Sequence, residues 1–184
     1  MMKVTKTPIN GLVLLEPEVF EDHRGYFFES YNKQKYPHEI TSIEWVQDNE
    51  SKSRKGVLRG LHYQFGMMAQ SKMVRVITGS IYDIAVDIRK DSPTFGRWFG
   101  VLLNDKNKKQ FFIPRGFAHG FLVLEDNTIF SYKCDNFYAP DFEGGIHWND
   151  PDLAIDWPLP KDEIIISKKD EALPNLTLLT PQHS

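Results

Sequence analysis

Short apolar runs, each closed by a glycine, a proline or a polar cluster, follow one another along almost the whole chain. In "KMVRVITGSIYDIAVDIRK" (72–90) two runs meet at Gly79-Ser80. In the second, Tyr82, Ile84, Val86 and Ile88 alternate with Asp83, Ala85, Asp87 and Arg89. Such a period of two marks a strand, because successive side chains leave opposite faces of the pleat. "WFGVLLNDKNKKQFFIP" (98–114) and "FLVLEDNTIFSYKC" (121–134) each read as strand, polar turn, strand. "GLVLLEPEVF" (11–20), "GYFFESY" (25–31) and "SIEWVQDN" (42–49) add strands in the N-terminal third. Only "SKKDEALP" (167–174) reads as a short helix. Many short strands at regular spacing predict an all-β fold, a double-sheet sandwich or barrel closed upon itself. The mouth of such a barrel can form a pocket, so polar groups that alternate into its interior are the ones to inspect.

Composition narrows the field without choosing a function. A chain of 184 residues with no linker, repeat or low-complexity segment predicts a single domain over 1–184. We divide it into N-terminal strands (1–45), a barrel core (about 46–140) and a C-terminal segment (141–184). The net charge of −3 points to neither a nucleic-acid nor a membrane partner, although a small anionic ligand needs only a few local cations. The single cysteine, Cys134, excludes an internal disulfide and a cysteine-based zinc site. No apolar run approaches the length of a membrane span, and "MMKVTKTPIN" lacks the apolar stretch of a signal peptide, so the cytoplasm is the expected location.

Several positions invite chemistry, and each has an ordinary explanation beside it. Alternation places Lys72 on the face of Val74 and Val76; an inward ammonium needs a partner, whereas a lysine at a strand end can reach back to water. His62 in "GVLRGLHYQ" suits a base, a metal ligand or a core histidine. "IPRGFAHGF" (113–121) is a tight turn delivering His119 at a strand start, and it resembles the second motif of cupins, where that histidine often binds metal. The first cupin motif would supply His-x-His and a glutamate; here His62 is followed by Gln64, and the next ionisable group inward is Lys72. An ammonium repels a divalent cation, so a cupin-type barrel with its metal site replaced is expected. Tyr132 shares with Phe130 and Cys134 a face expected to be buried, which a core tyrosine would also do. Asp170, Arg24, Arg59 and Lys168 are surface residues by default.

Taken together, "DHRGYFFESY", "QDNESKSRKGVLRGLHYQ", "KMVRVITGSIYDIAVDIRKDSPTFGRW", "FFIPRGFAHGFLVL", "YKCDNFY", "EGGIHWNDPDLAIDWP" and "IISKKD" resemble, in order and over nearly the whole chain, the dTDP-4-dehydrorhamnose 3,5-epimerases. The resemblance implies a cupin-type jelly-roll barrel with short peripheral helices. It also implies a cofactor-independent isomerase of dTDP-rhamnose biosynthesis that inverts C3 and C5 of dTDP-4-dehydro-6-deoxy-D-glucose. By position, His62 matches the general base, Asp170 its carboxylate partner, Tyr132 the acid on the opposite side of the sugar, and Lys72 the residue beside the C4 oxygen. Arg24, Glu29, Gln47, Asp48, Asn49, Arg59, His119, Glu143 and Lys168 match substrate-binding positions, and Tyr138 an aromatic against the thymine. Members are homodimers that exchange strands, so each pocket borrows residues from its partner; neither a metal nor a cofactor is expected. The loop "FGMMAQSK" (65–72) departs from the family by its methionines. Strict alternation puts Arg59 and His62 on opposite faces, which a bulge at Gly60 or service to a neighbouring subunit would explain. Alternative readings are a single-carbon epimerase of a dTDP-4-keto-deoxysugar, a metal-dependent cupin oxygenase or isomerase, and a sugar-nucleotide-binding module without turnover.

Overall fold

The computed structural model describes residues 2–178. The N-terminal strands β1 (Lys3–Lys6), β2 (Val13–Glu16), β3 (Phe20–Asp22) and β4 (Gly25–Phe27) precede helix α1 (His38–Thr41). The barrel strands are β5 (Gln47–Ser53), β6 (Leu58–Gln64), β7 (Lys72–Thr78), β8 (Ser80–Asp87), β9 (Trp98–Asn104), β10 (Gln110–Ile113), β11 (Phe117–Val123) and β12 (Thr128–Cys134). Strand β13 (Glu143–Gly145) and helix α2 (Lys168–Glu171) follow. They form a six-stranded sheet in the order β1-β2-β10-β7-β12-β5, a five-stranded sheet in the order β13-β6-β11-β8-β9, and the separate hairpin β3-β4. All the ladders are antiparallel.

Each of the three strand–turn–strand units legible in the sequence crosses from one sheet to the other. β7 and β8, β9 and β10, and β11 and β12 are therefore corners of a jelly roll, not hairpins. Gly79 makes the first corner: its φ is +84°, and a Cβ there would stand 2.2 Å from Thr128 Oγ1. The N-terminal third departs from expectation. The strand sought at 42–49 begins at Gln47, because Ile43 and Trp45 pack with Val13, Leu15, Tyr36, Ile40 and Phe112 on the outside of the six-stranded sheet. β1, exposed throughout and with Val4 as its one apolar residue, carries no periodic signal.

The space between the sheets holds Val74, Val76, Phe111 and Phe130 from one side and Ile81, Ala85, Phe117, Phe121 and Val123 from the other. The C-terminal segment then covers the outer face of the five-stranded sheet, where Ile146, Leu153 and Leu176 pack on Leu61, Tyr63, Ile84 and Val86. Each fully buried large apolar side chain stabilises by about 1.5–3 kcal/mol. β8 is thus covered on both faces, and its alternating aspartates point inward: Asp83 and Asp87 have no exposed surface. No helix among the described residues is long and apolar enough to cross a membrane.

Candidate active site

A cavity of about 570 Å³ lies between the sheets. β6 and β11 contribute Arg59, His62 and His119, the six-stranded sheet contributes Lys72 and Tyr132, and α2 contributes Asp170. The backbone at Gly60 decides who faces inward. β11 pairs His119 with His62 but Phe121 with Arg59, so β6 spends one extra residue in a bulge. Gly60 has φ +125°, and a Cβ there would lie 2.5 Å from Gly120 Cα. Only glycine fits, and the bulge brings both Arg59 and His62 to the cavity.

His62 Nε2 lies 2.7 Å from Asp170 Oδ1, which leaves Nδ1 as the nitrogen free for proton transfer. Ser167 caps α2, its hydroxyl oxygen accepting from the Asp170 N–H at 3.0 Å. The Gly60 N–H donates to Asp170 Oδ2 at 3.4 Å. Burial alone would raise the Asp170 carboxyl, but the hydrogen bond and charge of His62, with those two further hydrogen bonds, hold it below the usual range.

A second buried pair stands behind the first. His119 Nε2 is 3.0 Å from both oxygens of Asp83. Burial raises the Asp83 carboxyl against the pull of His119 and Lys72, and it lowers the His119 imidazole. The Lys72 ammonium is likewise pushed down by burial and supported by Cys134, Asp83 and Glu143. Burial pushes the Tyr132 phenol up, with a small opposing pull from Arg59, so it stays protonated near neutrality. The sequence reading missed Asp83. Its alternation with apolar residues was visible, but the cover over Ile84 and Val86 that turns the polar side of the strand inward comes from the remote C-terminal segment.

At the rim, Lys169 Nζ donates to Glu143 Oε2 at 2.6 Å, and the Tyr138 hydroxyl donates to the same oxygen at 2.9 Å. Gln47 Oε1 accepts from the Tyr138 N–H at 3.1 Å, while its Nε2 donates to Asn49 Oδ1 at 2.9 Å. Asn49 lines the cavity. Four anticipated site residues stand elsewhere in this chain. Arg24 is exposed at the β3-β4 turn and paired with Asp22; Glu29 binds Lys35 and Asn32. Asp48 alternates outward from Asn49 to Lys133. Lys168 is a correction by one residue: it is exposed, while its neighbour Lys169 lines the cavity, because a helix turns about 100° per residue.

No group of three or more histidine, cysteine, aspartate or glutamate residues suited to a metal ion occurs among the described residues. His62 and His119 are each engaged by a separate carboxylate, with Lys72 close enough to interact with His119 and Asp83. A depression of about 650 Å³ by Tyr63, Phe65 and Arg89 is larger, but Arg89 there is already spent on Asp87.

The described chemistry is that of a cavity holding a base, a buried ammonium and a phenol, and similarity to known proteins leads to the same place. The family model described as dTDP-4-dehydrorhamnose 3,5-epimerase matches residues 6–177. A Salmonella typhimurium protein of that name is 53% identical over 180 residues, 96% of each chain. The crystal structure of a Legionella pneumophila dTDP-6-deoxy-D-glucose-3,5-epimerase, in complex with dTDP-4-keto-L-rhamnose, superposes with a TM-score of 0.92 at 48% identity, covering 98% of this chain and 95% of that one. A 3'-monoepimerase from Streptomyces bikiniensis, bound to dTDP-quinovose, gives a TM-score of 0.86 at 33% identity, over 93% and 86%. With its fold and nearly its whole length so matched, the chain belongs to the dTDP-4-dehydrorhamnose 3,5-epimerase family.

Proposed function

We propose that the protein inverts C3 and C5 of dTDP-4-dehydro-6-deoxy-D-glucose by proton transfer, giving dTDP-4-dehydro-L-rhamnose. The observation that carries this is the His62–Asp170 pair sharing one cavity with Lys72 and Tyr132. Hydrogens on C3 and C5 are acidic because the C4 ketone accepts the electrons of the broken C–H bond. His62 takes the proton at Nδ1, and Asp170 holds the tautomer and stabilises the imidazolium. The electron pair moves to the C4 oxygen, where the Lys72 ammonium stabilises the enolate. Tyr132 returns a proton to carbon from the other face, and the configuration is inverted. The sequence moves protons only, so it calls for no hydride carrier.

Arg59 and Lys169 supply cations for the diphosphate, and Tyr138 an aromatic face for the thymine. Arg24 and Glu29 serve the neighbouring subunit's pocket in a homodimer. The support is the β3-β4 hairpin, which stands free of both sheets with Phe20, Tyr26 and Phe27 at 56%, 54% and 65% exposure. The second reading is a single-carbon epimerase, favoured by the likeness to a 3'-monoepimerase. Incubation with the 4-keto sugar nucleotide in heavy water separates them by NMR: deuterium enters C3 and C5 in the double epimerase and C3 alone in a 3-epimerase. Deuterium at neither carbon defeats both.

A further inference from the structure

Gln64 lies two residues beyond His62 on β6, on the same inward face, and is buried. Its amide is fully used. Nε2 donates to the carbonyls of Met68 at 2.7 Å and Phe137 at 3.0 Å, and Oε1 accepts from the Ala139 N–H at 2.7 Å. Two of these bonds bracket Tyr138, one peptide on either side. Three further bonds tie the same segment down: Gln70 Nε2 to the Asn136 carbonyl at 2.8 Å, Asn136 Nδ2 to the Met67 carbonyl at 2.9 Å, and the Tyr138 N–H to Gln47. Through its hydroxyl Tyr138 then meets Glu143, which Lys169 also holds.

We infer that Gln64 is a positioning residue for nucleotide binding. It fixes the backbone around Tyr138, and thus the direction in which the ring and the Tyr138–Glu143–Lys169 rim face the ligand. The inference rests on the reading above that Tyr138 lies against the thymine. A side chain touching only backbone between the base-bearing strand and the rim acts on affinity, not on proton transfer: the His62–Asp170 contact does not pass through it. It also accounts for how the "FGMMAQSK" loop keeps its shape despite its methionines, since Gln64 and Asn136 hold it by the carbonyls of Met68 and Met67, which any residue would present.

The test compares Gln64→Leu and Gln64→Glu in the full chain. Leucine removes all three bonds; glutamate keeps the acceptor for Ala139 but sets a carboxylate against two carbonyls. Calorimetry reads the Kd for dTDP, and epimerisation kinetics read KM and kcat. Gln64→Leu is expected to raise both Kd and KM roughly tenfold and to leave kcat within about threefold, since only uniform binding is lost. In a Tyr138→Ala background the same substitution is expected to add less than about twofold, because the residue it positions is gone. The inference is overturned by a folded variant with unchanged Kd, by a penalty repeated in full on Tyr138→Ala, or by a fall in kcat at constant KM. Failure of both variants to fold overturns it too, making Gln64 a folding residue. Unmodified protein that does not bind dTDP defeats the proposed function itself, an outcome distinct from dTDP binding that is indifferent to Gln64.

Discussion

Replacing Asp170 by asparagine removes one negative charge and almost no volume. The carboxylate stands 2.7 Å from His62 Nε2, with 6% of its side chain exposed against 30% for the histidine. While His62 is neutral the contact is an ordinary hydrogen bond, but after proton abstraction it faces an imidazolium. The charge-dependent part is therefore felt in the transition state. Two unit charges about 4 Å apart at an effective dielectric of about 20 attract by about 4 kcal/mol, and partial exposure of the imidazole trims this to about 3 kcal/mol. At 1.36 kcal/mol per decade, the loss is on the order of 10²-fold to 10³-fold in kcat. Asparagine can also turn its NH₂ toward Nε2 and hold the wrong tautomer, which deepens the loss. The assay is deuterium uptake at C3 of the 4-keto sugar nucleotide, followed by NMR under saturating substrate, with dTDP affinity measured alongside. A folded Asp170→Asn protein exchanging within tenfold of the unmodified rate would refute the charge argument. A loss of dTDP affinity equal to the loss of rate would show that Asp170 supports the pocket and not the base.

Lys72→Gln keeps a donor near the C4 oxygen but loses the charge, so kcat is expected to fall on the order of 10²-fold to 10³-fold with KM little changed, as read in the same exchange assay. On the proposed homodimer with Arg24 reaching the neighbouring pocket, Arg24→Ala and His62→Ala subunits refolded together are expected to recover about a quarter of full activity, because half the dimers would be mixed and each would hold one intact site; no recovery would defeat that shared-pocket proposal. Far from the cavity, burial opposes but Arg89, Ser92 and Thr94 pull the Asp87 carboxyl down from 3.8 to about 2. A depressed acid stabilises the fold in full above its unfolded pKa and loses that stabilisation as pH falls through the folded one. Asp87 is thus worth about 2 kcal/mol above pH ~4, lost toward pH ~2, and Asp87→Asn should lower Tm at neutral pH and flatten the acid limb of chemical denaturation.

What the sequence disclosed follows from how local each feature is. Alternation along one strand is local, and it placed Lys72, Val74 and Val76 on one face, and Phe130, Tyr132 and Cys134 on another. A polar turn between two strands looks the same whether it closes a hairpin or rounds a corner between sheets; the difference at Gly79 depends on Thr128, nearly fifty residues away. Arg59 defied alternation because the extra residue at Gly60 is demanded by the approach of Gly120, which is equally remote in sequence. Asp83 was passed over because a half-polar strand is ordinarily wet on its polar side, and only the C-terminal segment packed over Ile84 and Val86 turns that side into the interior. Asp170 and Lys168 sit on a four-residue helix, too short for any periodicity. The resemblance brought Asp170 to His62, and the structure moved the cavity lysine from Lys168 to Lys169.

The central claim is that the imidazole of His62 removes a proton from carbon, and His62→Ala tested by solvent exchange addresses it most directly. With dTDP-4-keto-6-deoxyglucose in heavy water, the variant is predicted to incorporate no deuterium at C3 or C5 above the enzyme-free rate, while binding dTDP within a few-fold of the unmodified protein. Exchange at either carbon at an undiminished rate, in a variant that is folded and nucleotide-bound, would contradict the account.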